Sequence, residues 1–145
     1  MLYRDRTGAP EVLLVHPGGP LWAKKDLGVW SVPKGEYNND EDPIDAAHRE
    51  FKEETGFDID VEDAIELKPV KLKSGKVVIA FAVEGDLDVM KVKSNTFSME
   101  WPPKSGRQQT FAEVDRAEWF TLEEAREKIK PEQAALLDEL ELRLK

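Results

Sequence analysis

Short apolar runs punctuated by Gly and Pro fill the first third of the chain. Residues 2–5 and EVLLVH, residues 11–16, read as strands joined by the turn RTGAP. HPGGPLWAKKDLG, residues 16–28, reads as a loop, and VWSV, residues 29–32, as a short strand broken by PKG. EYNNDED is polar and turn-prone. The apolar period then changes. Ile44, Ala47 and Phe51 recur at three and four and predict one face of a helix over residues 43–55. Asp42 can cap it, Pro43 suits its first position, Asp45 favours its first turn, and Gly56 is a natural stop. FDIDV, residues 57–61, alternates like a strand. ELKPVKL and KVVIAFAVEG flank Ser74-Gly75 and predict a hairpin. Residues 94–110 show no period, and PPKSGR within them reads as an exposed loop. RAEWF, residues 116–120, predicts a short last strand. Thr121 and Glu124 form a capping box for a helix to about Lys130. Pro131 opens a final helix whose Ala134, Leu137 and Leu140 can face inward.

The order is strands, helix, strands, helix. That predicts an α+β fold, with a mixed sheet between helices on both faces. The 145 residues suit one domain over residues 1–145, and no internal repeat, low-complexity tract or linker divides them.

Composition narrows the function. No apolar run approaches the roughly 20 residues of a membrane helix. The start, MLYRDRTGAP, has no apolar signal region. The absence of cysteine excludes disulfides, thiolate chemistry and cysteine-ligated zinc. A cytoplasmic protein without a membrane partner is expected. The net charge of −9 argues against a general nucleic-acid binder, which needs a basic face. A phosphorylated substrate would therefore have to be neutralised locally.

The predicted helix of residues 43–55 has an unusual polar face. At about 100° per residue, Glu50, Glu53 and Glu54 share one arc beside the apolar stripe. Ala46, one turn before Glu50, leaves space beneath them. Arg49 stands just outside the arc, four residues before Glu53, where it can pair with a carboxylate and hold its rotamer. Like charges at this spacing repel by roughly 0.2–0.5 kcal/mol per pair. Two readings fit: a solvated acidic face, or a seat for a hard divalent cation that also neutralises phosphate.

Gly35, Glu41, Arg49-Glu50-Phe51, Glu53-Glu54 and Gly56-Phe57 have the spacing G-x5-E-x7-R-E-U-x-E-E-x-G-U, where U is bulky and apolar. This resembles the Nudix box at every fixed position, with Phe51 where an aliphatic residue is commoner. The order of flanking elements is also similar to that family's α/β/α sandwich. The resemblance implies a hydrolase of nucleoside diphosphates linked to another moiety, acting with Mg2+ or Mn2+. It implies Glu50, Glu53 and Glu54 as metal ligands, Glu50 or another residue as the base, and Arg49 as the group that orients them. The Lys34 backbone carbonyl would join the metal, and Glu41 would be structural. Some members carry a further glutamate about six residues before a Trp. Glu113 stands six before Trp119 and is the candidate ligand or base, with Glu100 as its rival.

WSVPKG, residues 30–35, resembles the lead-in of diadenosine-polyphosphate and diphosphoinositol-polyphosphate hydrolases more than that of ADP-sugar hydrolases. Dinucleoside polyphosphates or (d)NTPs are therefore the leading small-molecule substrates. The Lys34 ammonium would touch a phosphate, or else face solvent. Trp101 can stack on a base and Arg107 can grip a phosphate in two-pronged fashion. Lys104 reads as solvated. Of Trp22, Trp30, Trp101 and Trp119, most are expected in the core or at an interface. His16 and His48 read as isolated, His48 at the surface. A nucleotide sensor without catalysis would be expected to lose a box glutamate, and none is lost here.

Overall fold

The protein is described by a computed structural model covering residues 1–6, 8–33, 41–71 and 73–144. Its elements in order are β1 Leu2–Arg4, β2 Glu11–Pro17, α1 Pro43–Thr55, β3 Ile65–Glu66, β4 Val70–Lys71, β5 Val77–Val78, β6 Phe81–Glu84, β7 Thr96–Glu100, β8 Gln108–Ala112, β9 Val114–Thr121, α2 Leu122–Lys128 and α3 Ala134–Arg143. Single turns of 3₁₀ helix lie at residues 89–91 and 131–133. The main sheet runs β3-β6-β1-β2-β9. β1 and β6 are parallel, and its other pairs are antiparallel.

β2 shows why the fold is layered. Val12, Leu13, Leu14, Val15 and His16 are all buried, a continuous run that only a strand covered on both faces produces. Val12 and Leu14 face the cluster built with Ala125, Ile129, Leu137 and Leu140 of the C-terminal helices. Leu13 and Val15 face the cluster that contains Phe51 of α1. The sheet is thus sandwiched between α1 and the α2–α3 pair, as the element order predicted.

The local signals of α1 work as read. The Asp42 side chain accepts from the Ile44 N–H, Pro43 opens the first turn, and Gly56 at φ 79° closes the helix through its N–H to the Lys52 carbonyl. Its apolar stripe differs from the expectation. Phe51 is buried, whereas Ile44 and Ala47 are only half-buried and Thr55 and Ala46 are buried instead. The helix docks through its C-terminal half. There Lys93 N–H donates to the Thr55 carbonyl (2.9 Å) and Asn95 N–H to the Glu53 carbonyl (2.8 Å).

Four further expectations are corrected. Residues 57–61 form no strand: Phe57, Ile59 and Val61 alternate into the α1-side cluster, but no neighbour supplies a ladder. Residues 29–32 make only single bridges, Val15 with Ser31 and Trp30 with Ile129. Within residues 94–110, read as irregular, β7 and β8 form a regular antiparallel ribbon. In β7 Phe97 and Met99 alternate with exposed Thr96, Ser98 and Glu100, a period too short to stand out in the sequence, while β8 is polar until Phe111, which pairs with Phe97 across the ladder. β9 is longer than RAEWF: Thr121 pairs with Glu11 at one end, and at the other Val114 pairs with Pro17 across a register shift that skips Asp115. The Ser74-Gly75 hairpin and the Thr121–Glu124 capping box form as expected.

Candidate active site

α1 carries the carboxylates, and Arg49 organises them. Its Nη1 donates to Glu50 Oε1 at 3.1 Å and to Glu53 Oε1 at 3.3 Å. Its Nη2 and Nε donate to the two oxygens of Glu41 at 2.9 and 3.2 Å. One planar fork therefore ties Glu41, two residues before the helix, to two carboxylates on it. Glu41 holds the Arg49 guanidinium more firmly protonated than usual. Glu50 is the more enclosed acid, with 16% of its side chain exposed against 38% for Glu53. Burial, and then the charge of Glu53, push the Glu50 carboxyl above its ordinary value, against the pull of Arg49. Glu54 on the same face is half-buried. Ala46 beneath them is buried rather than open, so the acidic arc rests on protein.

Glu113 is the single residue between β8 and β9. Its N–H donates to the Asn95 carbonyl at 2.9 Å, and its own carbonyl accepts from Gly18 N–H at 2.9 Å. Asn95 also donates to the Glu53 carbonyl, so Glu113 is tied through one residue to the end of α1. Its side chain is exposed. Glu100 lies at the other end of β7, four residues beyond Thr96, about 14 Å along the strand. Trp101 and Arg107 sit at the ribbon tip, joined by a backbone hydrogen bond of 2.9 Å. Six residues separate Trp101 from Asn95, about 20 Å of strand. The structure therefore gathers Glu50, Glu53, Arg49 and the Glu113 backbone, and leaves Glu100, Trp101 and Arg107 at the far end of the ribbon. Lys104, at the same tip, is exposed as read. Lys34 lies outside the described residues, as does Gly35.

Trp30 is a core residue, edge-on to Phe120 and to His16 at 5.1 Å each. Trp119 is half-buried under the Arg4 guanidinium, 4.1 Å from its ring. Trp22 is 37% exposed. Neither histidine is isolated. His16 is buried, with Nδ1 2.7 Å from Asp115 Oδ1 and Nε2 donating to the Lys25 carbonyl at 2.6 Å. It fastens the loop of residues 18–28 to β9. His48 Nε2 lies 2.6 Å from Asp58 Oδ1, at the surface. Sequence reading missed these pairs because their partners stand 99 and ten positions away. It also missed Gly18 and Asn95, whose roles are made by backbone atoms that no side-chain pattern announces.

The family model described as the NUDIX domain matches residues 1–140. The chain belongs to that family. An RNA pyrophosphohydrolase of Stenotrophomonas maltophilia is 40% identical over 56 residues, which are 38% of this chain and 26% of that protein. An m7GpppN-mRNA hydrolase (dcap-2) of Caenorhabditis elegans is 33% identical over 95 residues, 66% of this chain and 10% of that protein. The matches thus take in about a quarter of one relative and a tenth of the other. The crystal structure of a C. elegans Ap4A hydrolase binary complex superposes with a TM-score of 0.63 over 99% of this chain and 93% of that one, at 24% identity. It shares the fold of this Nudix domain.

Nudix proteins generally use divalent metal ions. The donors here fit one: they are hard oxygens, and Glu50 and Glu53 stand close enough that the charge of one raises the carboxyl of the other. Among the described residues no three acids converge into a preformed cage, and Arg49 Nη1 stands between two of them. A magnesium site built from a few carboxylates, waters and substrate phosphates needs no such cage. No helix among the described residues is long and apolar enough to cross a membrane.

Proposed function

We propose that this Nudix domain is a Mg2+- or Mn2+-dependent hydrolase of phosphoanhydride bonds in nucleoside diphosphate derivatives. Dinucleoside polyphosphates and (d)NTPs are the leading substrates. The observation that carries the reading is the group on α1: two carboxylates on one guanidinium nitrogen, the more enclosed of them with its carboxyl raised. The names of the relatives, an RNA pyrophosphohydrolase and an m7GpppN-mRNA hydrolase, support anhydride cleavage at a nucleoside 5′ polyphosphate. The reading takes residues 1–145 as one domain.

Glu50, Glu53 and Glu54 would hold the ion, with Glu113 and the Lys34 carbonyl as further ligands. A bound divalent ion screens phosphate charge and makes a water molecule more acidic. Glu50, with its raised carboxyl, is suited to take the proton from an attacking water. Arg49 keeps Glu50 and Glu53 in one geometry while Glu41 anchors it. Arg107, Lys34 and Trp101 bind the distal part of the substrate.

A product-resolved hydrolysis panel tests this, run with Mg2+, with Mn2+ and with chelator. It includes diadenosine tetraphosphate, nucleoside triphosphates, ADP-ribose, a diphosphoinositol phosphate and RNA with 5′-triphosphate or capped ends. Metal-dependent cleavage of one substrate far above the rest names the enzyme. Tight nucleotide binding without product in saturating metal would replace hydrolysis by sensing.

A further inference from the structure

Gly18 follows β2, where the register to β9 shifts between His16 and Pro17. A Cβ built on Gly18 would lie 1.9 Å from the Ala112 carbonyl oxygen, 2.9 Å from the Ala112 carbonyl carbon and 3.4 Å from that of Glu113. These are backbone atoms that cannot swing aside as a flexible side chain can. The backbone of Gly18 shows no positive φ, so the need for glycine here is contact and not conformation. The close approach lets Gly18 N–H reach the Glu113 carbonyl at 2.9 Å. Gly19 continues the contact: its Cβ would meet Phe97 Cζ at 2.8 Å.

The junction is closed from the opposite side. Glu113 N–H binds the Asn95 carbonyl, and Asn95 N–H binds the Glu53 carbonyl. Ser94 Oγ accepts from Val114 N–H at 3.0 Å. Glu113 is therefore clamped between the end of β2 and the end of α1, with its side chain left exposed to turn. Where the Glu113 carboxylate can reach is set by where this peptide sits. Only a residue without Cβ at position 18 lets the peptide sit there.

We propose that Gly18 is a positioning residue: by docking bare backbone on the Ala112–Glu113 peptide, it sets the Glu113 carboxylate against the ion-holding glutamates of α1. This rests on the reading of Glu113 as a ligand or base given above.

The test is Mn2+ binding by calorimetry to wild type, Gly18→Ala, Glu113→Gln and the double variant, with melting curves as the fold control. Gly18→Ala is expected to weaken Mn2+ binding by about tenfold, the scale of losing a group that orients a ligand. Glu113→Gln is expected to do the same, and the double variant no worse than Glu113→Gln alone. Gly75→Ala strains the backbone at φ 89° in the β4–β5 turn but meets no atom there, and as the control for strain alone it is expected to bind as wild type does. Unchanged affinity in Gly18→Ala, additive losses in the double variant, or no Mn2+ binding by wild type would overturn the proposal. If Gly18→Ala does not fold, wild-type crystals grown with Mn2+ decide: Glu113 on the ion with the Gly18–Glu113 bond kept supports it, and Glu113 turned away overturns it. Hydrolysis is scored separately. An inactive wild type with this binding pattern would sink the hydrolase reading and leave the positioning intact.

Discussion

Arg49 grips Glu41 through both carboxylate oxygens, at 2.9 and 3.2 Å, while its remaining nitrogen serves Glu50 and Glu53. Lysine carries its three donors on one nitrogen and has no planar fork, so it cannot grip both Glu41 oxygens while also serving Glu50 and Glu53 as three separate nitrogens do here. Arg49→Lys should cut turnover about 10–100-fold, the range for groups that orient metal ligands. Its melting temperature should stay near wild type, because the side chain is largely solvated. Turnover in saturating Mg2+ beside a melting curve checks this.

Glu53→Gln removes a charge from the proposed metal site and keeps the shape. We expect turnover to fall by about a hundredfold or more, above the cost of losing an outer-sphere partner. Near-normal turnover would remove Glu53 from the site.

Glu50 predicts a pH dependence. Its folded carboxyl lies above the unfolded value, because of burial and then Glu53. The native state therefore holds this proton more tightly than the unfolded chain does. The contribution to stability is fully present below the ordinary carboxyl range and is lost as pH rises through the raised folded value. Glu50→Gln should then melt higher than wild type at neutral pH without metal. The gain should vanish in acid. Scanning calorimetry at several pH values checks the sign, and loss of turnover in the same variant would show stability traded for function.

Divalent metal should reverse that strain. Saturating Mg2+ should raise the wild-type melting temperature, by up to about 2.7 kcal/mol of stabilisation at a hundredfold excess over Kd. Chelator should abolish hydrolysis and the shift together. Glu50→Gln should show a smaller shift.

The ribbon tip should act on binding and not on chemistry. Arg107 and Trp101 stand about 20 Å of strand from the Asn95 end. Arg107→Ala and Trp101→Ala are expected to raise KM while kcat holds within about twofold, since only uniform binding is lost. A fall in kcat with KM unchanged would place the tip at the reacting phosphorus.

Much of this was legible in the chain itself. α1 announced its cap, first residue and stop through Asp42, Pro43 and Gly56, because those groups act on backbone atoms a few positions away. The periodicity of one helix then put Glu50, Glu53 and Arg49 on neighbouring lines, and the side chains meet as that spacing requires. β2, too, was readable from EVLLVH and the Gly/Pro turn before it. Such signals are local, and local geometry follows from sequence spacing.

What only the tertiary structure decided is which distant segments touch. The alternation of residues 57–61 looked like a strand, yet pairing requires a neighbour and none came. β7 and β8 looked irregular, yet they pair because each finds the other. His16 found Asp115 across 99 positions, and Glu113 came to Glu53 through Asn95 and to Gly18 through bare backbone. Hydrogen bonds between main-chain atoms carry no residue signature, and a clash with a carbonyl oxygen exists only once the chain has folded back on itself. The sequence determined the helix and the acids it carries. The packing of β2, the ribbon and α1 around Glu113 determined which other residues stand beside them.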